Sequence, residues 1–378
     1  MNLLLINPRE EVIKSALQAG STPIVILSCD SEKDFITKYG IQLIHCDNTL
    51  DPLVITRAII NVGIKPCDAN TVCIGFGDDT SQVASLVNSS MNFANGKYSH
   101  VFELELMRNK PLFRSLVNKN LAYLSGNFKV ISVKSQLLET FIDFGNKGVV
   151  AKPLYGSGSK NVQRFDNISK LQNSLDSLSF PLLVEEVFHG KEYSVETLSW
   201  DGKHYPIIVT EKVTGGVSGL VEIAQKQPAS ISYKQKEALF TAASNILNLV
   251  GYKFGLSHIE FMINEESVKV IEAHGRVGGD RIADLMGYST GMNAFERLFR
   301  AYENDNVDEI KYTSKEASIH FVELTDEKVQ DSDWLKTVLS KNDVVDAQIL
   351  LPKEKRGSIL SSKDRHAFYI CISDGEEN

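Results

Sequence analysis

Residues 258–280 read HIEFMINEESVKVIEAHGRVGGD. Two short apolar runs, 259–263 and 268–271, flank a polar tetrad, which is the pattern of a tight β-hairpin. Glu260 lies inside the first run and Glu272 follows the second, so an antiparallel pair lets the two carboxylates face each other on neighbouring strands. The sequence therefore predicts a hairpin that brings two carboxylates into one place.

Two close carboxylates repel each other, and a bound divalent cation is the usual way to keep both ionised. Oxygen ligands of this kind suit Mg²⁺. Arg276 and the pair Gly278 and Gly279 follow directly, and they offer a planar cation and close backbone approach to an anion. The alternative is an ordinary hairpin with one solvent-facing Glu on each strand. The hairpin alone does not decide between these interpretations.

Length and composition limit the class of protein. A chain of 378 residues is expected to form two or three domains. A formal net charge of -8 argues against nucleic acid as a partner. The scattered cysteines, without a Cys-x-x-Cys pair, predict reduced thiols: Cys29, Cys46, Cys67, Cys73 and Cys371. With neither a signal peptide nor a long apolar run, we expect a cytoplasmic protein that is not bound to a membrane.

The first hundred residues alternate short apolar runs with helical patterns. The predicted strands are 3–6, 24–27, 41–45 and 71–76. Residues 10–19 carry apolar side chains at helical spacing between the first two strands, which makes a βαβ unit. We therefore predict a doubly wound parallel α/β sheet over residues 1–104. The loop Gly75-Phe76-Gly77 ends the fourth strand, where open sheets bind ligands, but it lacks a third Gly and a plain βα turn is favoured.

Two lysines occupy positions suited to anion binding. Lys110 opens a predicted helix in which Pro111 suits the first turn, and it is either a solvated charge or an anion contact. Lys152 ends an apolar strand at 149–153. The glycine and hydroxyl loop 155–162 follows, and its backbone N–H groups could cradle phosphate oxygens above the Lys152 charge. A flexible hairpin is the alternative.

Another apolar strand, 182–188, contains two carboxylates, and Glu192 follows it. A strand end with free backbone groups suits an adenine ring, and a carboxylate a few residues later suits ribose hydroxyls. Ordinary carboxylates on the protein surface fit the same pattern. These residues therefore support a nucleotide site only in combination with the order of the other motifs along the chain.

That order resembles the ATP-grasp superfamily over about residues 105–300. The resemblance implies ATP and Mg²⁺ or Mn²⁺ as cofactors. Matched residue by residue, it implies phosphate binding by Lys110 and Lys152, a covering loop of Gly156, Ser157, Gly158 and Ser159, adenine binding by Glu185, Glu186, Val187 and Phe188, ribose binding by Glu192, and metal binding by Glu260, Glu272 and His274. His274 stands where the superfamily usually has Asn, although imidazole can still ligate a metal or hydrogen-bond.

Two further segments resemble one branch of that superfamily. Residues 210–212 and 220–228 are similar to a segment of bacterial L-amino acid ligases, with Gln225 where those ligases tend to have His. The tail around 361–365 resembles the β-rich carboxyl-terminal subdomain of the branch that includes biotin carboxylase. The implied organisation is an α/β and α+β chain: an N-terminal unit 1–104, an ATP-grasp domain 105–300 with a lid at about 115–185, and a C-terminal subdomain 301–378.

The resemblance implies that a carboxylate attacks the γ-phosphate of ATP and that an amine then attacks the acyl phosphate, releasing ADP and phosphate. Arg276 and Lys152 are the implied catalytic residues. Substrate contacts are assigned to Glu211, Glu222, Gln225, Arg276, Gly278 and Gly279. A structural pair between Arg276 and Asp280 or Asp284 is the alternative for that arginine. Loop 214–219 and the glycine loop are candidate lids.

The expected partners are small carboxylate and amine substrates, with amino acids favoured and a homodimer as one possible assembly. Two alternatives stay open. The first is a carboxylase or purine-pathway ligase of the same fold, which would activate bicarbonate or another small acid. The second is an ATP-binding protein without turnover, although binding adenine alone would not require Glu260, Glu272 and Arg276.

Overall fold

The N-terminal unit is a four-stranded parallel sheet with strand order β3-β2-β1-β4. A computed structural model describes residues 1–28, 34–156, 158, 160–216, 219–325 and 330–375. The strands are β1 Asn2–Ile6, β2 Thr22–Ser28, β3 Gln42–Cys46 and β4 Thr71–Gly75, and the helices are α1 Glu10–Gln18, α2 Asp34–Tyr39, α3 Pro52–Asn61 and α4 Asp78–Met91. Leu4 and Leu5 are buried in separate cores on the two faces of the sheet, as a doubly wound sheet requires. The predicted fold of this unit is confirmed.

Two helices connect this unit to a small antiparallel sheet. They are α5 Val101–Arg108 and α6 Lys110–Asn120, and α6 begins where Asn109 accepts a hydrogen bond from the backbone N–H of Leu112 (3.1 Å). The sheet, here called the lid sheet, has the order β5-β8-β6-β7. Its elements are β5 Phe128–Ile131, α7 Lys134–Asp143, β6 Val149–Pro153, β7 Gln163–Phe165, α8 Ile168–Ser174 and β8 Leu182–Glu186.

The largest sheet has eight strands in the order β13-β12-β9-β10-β11-β14-β16-β15. Its strands are β9 Lys191–Trp200, β10 Lys203–Gly215, β11 Val221–Gln227, β12 Gly255–Ile263, β13 Val268–His274, β14 Lys315–Val322, β15 Val344–Ile349 and β16 Ala367–Asp374. The accompanying helices are α9 Tyr233–Val250, α10 Ile282–Thr290, α11 Ala294–Asn304 and α12 Asp331–Leu339. The last three strands belong to the same sheet as β9–β13, so the sheet is continuous across residue 300. The predicted domain boundary at that residue stays a prediction.

The predicted hairpin is β12–β13. Its turn is closed by a hydrogen bond from the Asn264 backbone N–H to the Ser267 carbonyl (3.1 Å). The Asn264 side-chain oxygen also accepts from the backbone N–H groups of Glu266 and Ser267 (2.9 and 2.8 Å). In this register Glu260 is the direct partner of Glu272, and a bulge follows at Phe261. The structure confirms the hairpin and the pairing.

Arg281 connects three parts of the chain beside this hairpin. Its guanidinium lies 3.5 Å from Glu11 in α1 and 3.0 Å from Asp346 in β15. It also lies 2.6 Å from Asp284 in α10. This contact is an ion pair, but its angles do not meet the geometry of a hydrogen bond. These contacts fix the N-terminal unit and the last strands around one central space. Within the described ranges, no helix combines the length and apolarity needed to cross a bilayer.

Candidate active site

A cavity of about 830 Å³ lies where the carboxyl ends of β1 and β4 meet the lid sheet and the hairpin β12–β13. Most of the residues singled out from the sequence line this cavity. They are Lys110, Lys152, Gly156, Gly158, Glu185, Glu186, Val187, Phe188, Glu192, Glu222, Gln225, Glu260, Glu272, His274, Arg276, Gly278 and Gly279. Ser157 and Ser159 lie outside the described residues. The fold therefore collects residues that are spread over 170 positions of sequence.

Glu260 and Glu272 do not face solvent as in an ordinary hairpin. Glu260 is buried and Glu272 is mostly buried, and each contacts cationic or imidazole side chains. Burial alone would raise the pKa of each carboxyl, but neighbouring ammonium and imidazole groups outweigh it. The pKa of Glu260 falls to about 2 and that of Glu272 falls well below its ordinary value. Both groups are therefore ionised, which suits a divalent cation.

On the β9–β11 side of the hairpin, Lys212 lies among three carboxylates, a group here called the Lys212 cluster. Its ammonium contacts Glu260 and lies 3.3 Å from Glu222 and 3.7 Å from Glu192. Oxygens of these three carboxylates lie within 4.8 Å of one another. Burial raises the pKa of Glu192 to about 8, and the neighbouring carboxylates act in the same direction. Lys212 lowers this pKa, but by less than burial and the carboxylates together raise it. The cluster holds more negative charge than one lysine balances.

This geometry offers a second candidate metal set beside the predicted one. Within the part of the chain that the structure describes, the three metal-capable groups that lie together are Glu192, Glu222 and Glu260. The predicted set of Glu260, Glu272 and His274 shares only Glu260 with this group. Both ring nitrogens of His274 are already engaged, one with Asp78 (2.9 Å) and one with Glu272 (3.0 Å). A metal contact by His274 would require one of these bonds to break.

On the other side of the hairpin lies a second group, here called the Asp78 cluster: Asp78, Lys110, Glu272, His274 and Arg276. Asp78 accepts two hydrogen bonds from Arg276 (2.9 and 3.0 Å) and one from His274 (2.9 Å). Burial would raise the pKa of Asp78, but His274 and Arg276 lower it overall. Lys110 lies 3.3 Å from Glu272 and donates to the Gly156 carbonyl (2.6 Å). Here the positive and negative groups balance.

Asp78 corrects two expectations. The loop after β4 is more than a plain βα turn, because residues 76–80 line the cavity. Arg276 pairs with Asp78 rather than with Asp280 or Asp284. The N-terminal unit is thereby bonded directly to the segment that follows β13.

Lys152 is held from below by a buried carboxylate. Both oxygens of Glu185 are engaged, one by Lys152 and the other by Arg114. Arg114 also donates to the carbonyls of Val270 and Ile271 in β13 (2.7 and 2.5 Å). Glu185 therefore positions Lys152, whereas its neighbour Glu186 points to the other face of β8 and accepts from Asn127 (2.9 Å). The adenine contact expected of residues 185–188 stays a prediction.

The substrate residues divide between two faces of the sheet. Glu211 does not line the cavity, because it accepts from the Ser230 backbone N–H (3.2 Å) and lies 3.6 Å from Lys191. Its neighbour Lys212 points the opposite way, as alternation along a strand requires. Glu222 and Gln225 have opposite parity in β11, yet both line the cavity. A bulge at Ile223 shifts the register between them and turns both side chains to one face.

Gln225 and the turn after β13 are fixed by a buried arginine. Arg365 donates to both oxygens of Asp280 and lies 3.6 Å above the Phe321 ring. Gln225 donates its amide N–H to Asp280 (3.2 Å), so its amide oxygen points away from that carboxylate. That oxygen is buried and has no hydrogen-bond partner among the described residues. The amide oxygen of Gln225 is therefore a buried, unsatisfied acceptor in the wall of the cavity.

Two glycines of the site have steric reasons to be glycine. A Cβ at Gly278 would lie 2.6 Å from Ile282 and 2.7 Å from the His258 ring. Gly158 has φ +69°, and a Cβ there would lie 2.6 Å from the Ser362 hydroxyl. The glycine loop thus approaches the tail segment around residue 362.

Sequence reasoning missed several residues of the site: Asp78, Arg114, Glu196, Lys212, His258, Asp280 and Arg365. His258 lies between Glu196 (2.6 Å) and Glu260 (3.0 Å), so it orients a carboxylate of the hairpin. Its two-residue spacing from Glu260 was a signal, because residues i and i+2 of a strand share one face. The long-range partners gave no such signal.

The comparison with protein families agrees with this geometry. A family model described as an ATP-grasp domain matches residues 124–280. The chain contains an ATP-grasp domain. The matched segment includes the lid sheet, the hairpin β12–β13 and Arg276, which are the parts that enclose most of the cavity.

Solved structures are similar in fold to nearly the whole of this chain, beyond the matched residues 124–280. An L-amino acid ligase from Bacillus licheniformis is similar over 99% of this chain and 94% of its own, with a TM-score of 0.78 and 15% identity. A biotin carboxylase complex from Campylobacter jejuni covers 99% and 88%, with a TM-score of 0.72 and 14% identity. At these identities the likeness shows the ATP-grasp fold and not the substrate.

The curated relatives are larger proteins. The arginine-specific carbamoyl phosphate synthase large chain of Bacillus subtilis is 29% identical over 133 residues, which is 34% of this chain and 13% of that protein. The chain therefore spans only a small part of the length of this relative. Its own activity, substrates and partners have to be argued from its site.

Proposed function

We propose that this protein is an ATP-dependent carboxylate-amine ligase that uses ATP with Mg²⁺ or Mn²⁺ and releases ADP and phosphate. One observation carries the proposal. Two ionised carboxylates, Glu260 and Glu272, face each other in a cavity that Lys110, Lys152 and Lys212 also line. Phosphoryl transfer needs alignment and charge neutralisation more than covalent chemistry, and this residue set supplies both.

Each part of the cavity suits one part of the nucleotide. Residues 186–188, at the end of β8, offer backbone groups to adenine, and Glu192 offers a carboxylate to ribose. Lys110 and Lys152 would hold the phosphates beneath the loop that carries Gly156 and Gly158. Glu260 and Glu272 would hold the metal, which neutralises phosphate charge when bound. The biotin carboxylase of similar fold is described as a complex with β,γ-ATP, which supports nucleotide binding here.

The substrate end of the cavity suits an amino acid. Arg276 can bind a carboxylate bidentately, as it binds Asp78, and a substrate carboxylate would have to replace Asp78 there. Glu222 and Gln225 lie on one face of β11, where the Glu222 carboxylate offers the acceptor that an ammonium group requires. Glu222 is therefore favoured over Glu211, which faces away.

The reaction balances with these groups. A carboxylate oxygen of the donor attacks the γ-phosphorus, the bond to ADP breaks, and an acyl phosphate forms. The amine then attacks the acyl carbon, phosphate leaves, and a proton is released as the amide forms. Arg276 would hold the donor carboxylate, while Lys110 and Lys152 stabilise the charge on the transferred phosphate. An acyl phosphate hydrolyses in water, so the glycine loop is expected to close over it.

Phosphate release from ATP tests the proposal, measured with amino acids singly and in pairs and with products identified by mass spectrometry. We expect ADP, phosphate and a dipeptide, with turnover that depends on both substrates. Formation of AMP would contradict the acyl-phosphate route. Release of ADP that needs bicarbonate and yields no peptide bond would favour the carboxylase alternative, which the carbamoyl phosphate synthase relative makes the second candidate. ATP binding without turnover would favour the alternative of an ATP-binding protein that is not an enzyme. The homodimer, the cytoplasmic location and the domain boundaries stay predictions.

A further inference from the structure

Arg9 differs from the other cationic side chains that line the cavity. Seven of them have a carboxylate partner: Arg108, Lys110, Arg114, Lys152, Arg164, Lys212 and Arg276. Arg9 also lines the cavity, but its guanidinium is exposed and has no hydrogen bond or ion pair to any described residue. Lys160 also lacks such a contact to the described residues, and it lies next to position 159, which is outside them. Among the described residues, Arg9 therefore has no bonded carboxylate that an anionic ligand would have to displace.

The position of Arg9 places it at the substrate end. It lies in the turn between β1 and α1, at the carboxyl end of a parallel strand, where open α/β sheets bind ligands. Strand β4 is hydrogen-bonded to β1 and is followed by Asp78, which binds Arg276. The charge of Arg9 also reaches Asp284 in α10, four residues after Asp280. The adenine end, at residues 186–188, is built from the lid sheet instead.

Apolar side chains contribute to the cavity wall on the elements around Arg9, beside the polar Asn7 and Asp78. The cavity wall formed by β1, α1, β4, α10 and α11 carries Ile6, Val12, Phe76, Ile282 and Phe295. A ligand that fits this wall has an anionic group for Arg9 and an apolar body. Neither feature is needed for ATP, whose phosphates face Lys110 and Lys152 in the proposed function.

We propose that Arg9 binds the carboxylate of the amine-donating substrate, so that this substrate is an amino acid with an apolar side chain. The inference rests on the proposed function, in which Arg276, Glu222 and Gln225 serve the carboxyl donor. The two substrates then meet with opposite polarity: the donor presents its carboxylate to the phosphate, and the acceptor is held by its own carboxylate with its amine free to attack. A planar guanidinium binds a carboxylate bidentately, which fixes the direction of the amine.

The test compares L-leucine with L-leucinamide as acceptors, since both carry an amine and an apolar side chain and only leucine carries a carboxylate. Amide formation is measured with saturating ATP and carboxyl donor for the wild type, Arg9→Gln, Arg9→Lys and the control Arg57→Gln. Arg57 is an exposed arginine in α3 that does not line the cavity. We expect Arg9→Gln to raise the KM for leucine about tenfold, with the KM values for leucinamide and ATP changed less than twofold. Arg9→Lys should lie in between, and Arg57→Gln should match the wild type.

An equal effect on both acceptors, or no effect on leucine, would overturn the proposal. Turnover with an amino sugar phosphate but with no amino acid acceptor would also overturn the carboxylate assignment. Calorimetric titration of leucine into the wild type and Arg9→Gln provides a readout independent of turnover. If no amide forms but leucine binding is lost in Arg9→Gln, the ligase function fails and the Arg9 site stands. If leucine binds both proteins equally, the Arg9 site fails whatever the chemistry.

Discussion

The Lys212 cluster and the Asp78 cluster lie on opposite sides of one hairpin and differ in charge balance. The first sets three carboxylates, Glu192, Glu222 and Glu260, against one ammonium and the imidazole of His258. The second sets Asp78 and Glu272 against Lys110, Arg276 and an imidazole. Neighbouring strands thus supply an acidic side that suits a cation and a balanced side that suits an anion.

The pKa values follow this difference. Burial among carboxylates raises the pKa of Glu192 to about 8. Burial acts in the same direction on Glu272, but Lys110 and His274 reverse its effect and lower the pKa of that carboxyl. The depth of a carboxyl group therefore does not set its charge here, because the number of cations within reach decides it.

The largest effect is expected from Glu272→Gln, which removes one carboxylate charge from the Asp78 cluster while keeping the volume. We expect phosphate release to fall roughly 100-fold or more, because a weakened metal site loses several kcal/mol of charge stabilisation. Phosphate release by the purified protein measures this, with circular dichroism to verify the fold. Glu316→Gln, in β14 outside the cavity, is the matched control. Unchanged phosphate release in Glu272→Gln would remove the metal assignment.

A smaller effect is expected from Lys152→Ala, which removes a cation from the anion-binding side. We expect nucleotide affinity to fall by about 2 kcal/mol, or about 30-fold, since a charge-assisted phosphate contact is lost. The fold should persist, because Arg114 remains paired with Glu185. Calorimetric titration with a non-hydrolysable ATP analogue measures the change. Lys129→Ala, an exposed position in β5, is the control, and equal affinity in Lys152→Ala would rule out the phosphate role.

Gln225→His tests whether the acidic side selects the carboxyl donor. Imidazole changes the shape and the acceptor offered to a substrate ammonium, so we expect donor preference to shift about fivefold while ATP affinity changes less than twofold. Competition between amino acid donors, followed by mass spectrometry, measures the preference. Gln348→His, exposed in β15, should leave it unchanged. A loss of ATP affinity without a change of donor would place Gln225 at the nucleotide.

Local patterns in the sequence predicted the hairpin and its opposed glutamates, because the alternation and the turn residues lie within 15 positions. The start of α6 at Lys110 was predictable for the same reason, since Asn109 and Pro111 are adjacent to it. Which of two neighbouring polar residues faces the cavity was not predictable at Glu185 and Glu186, or at Glu211 and Lys212. A shift of one residue exchanges the faces of a strand, and only the packed sheet fixes it.

The sequence also did not predict which residues far apart in the chain pair with each other. Asp78 lies 198 positions from Arg276, and nothing near either residue specifies the other. The bulge at Ile223 similarly has no local signature, yet it decides that Glu222 and Gln225 share a face. The single sequence thus predicted which residues carry chemistry better than it predicted which residues pair with each other.

The smallest effect is expected from Glu192→Gln, measured on the stability of the ligand-free protein as a function of pH. The pKa of Glu192 rises from an ordinary value of 4.5 to about 8 on folding, chiefly through burial. Between these values the folded state holds a proton that the unfolded state has lost. Stability must therefore fall as pH rises across this range. The amide cannot titrate, so Glu192→Gln lacks this contribution.

The wild type should accordingly lose stability relative to Glu192→Gln between about pH 5 and about pH 8. A difference of about 1 kcal/mol corresponds to a relative decrease of about 2 °C or more in melting temperature. Taking the difference between the two proteins at each pH cancels the titration of groups they share. Glu316→Gln should show no such trend, since Glu316 lies outside the cluster. A wild type that instead gains stability relative to Glu192→Gln as pH rises would show that Glu192 is ionised like Glu272, and that nearby cations outweigh burial on both sides of the hairpin.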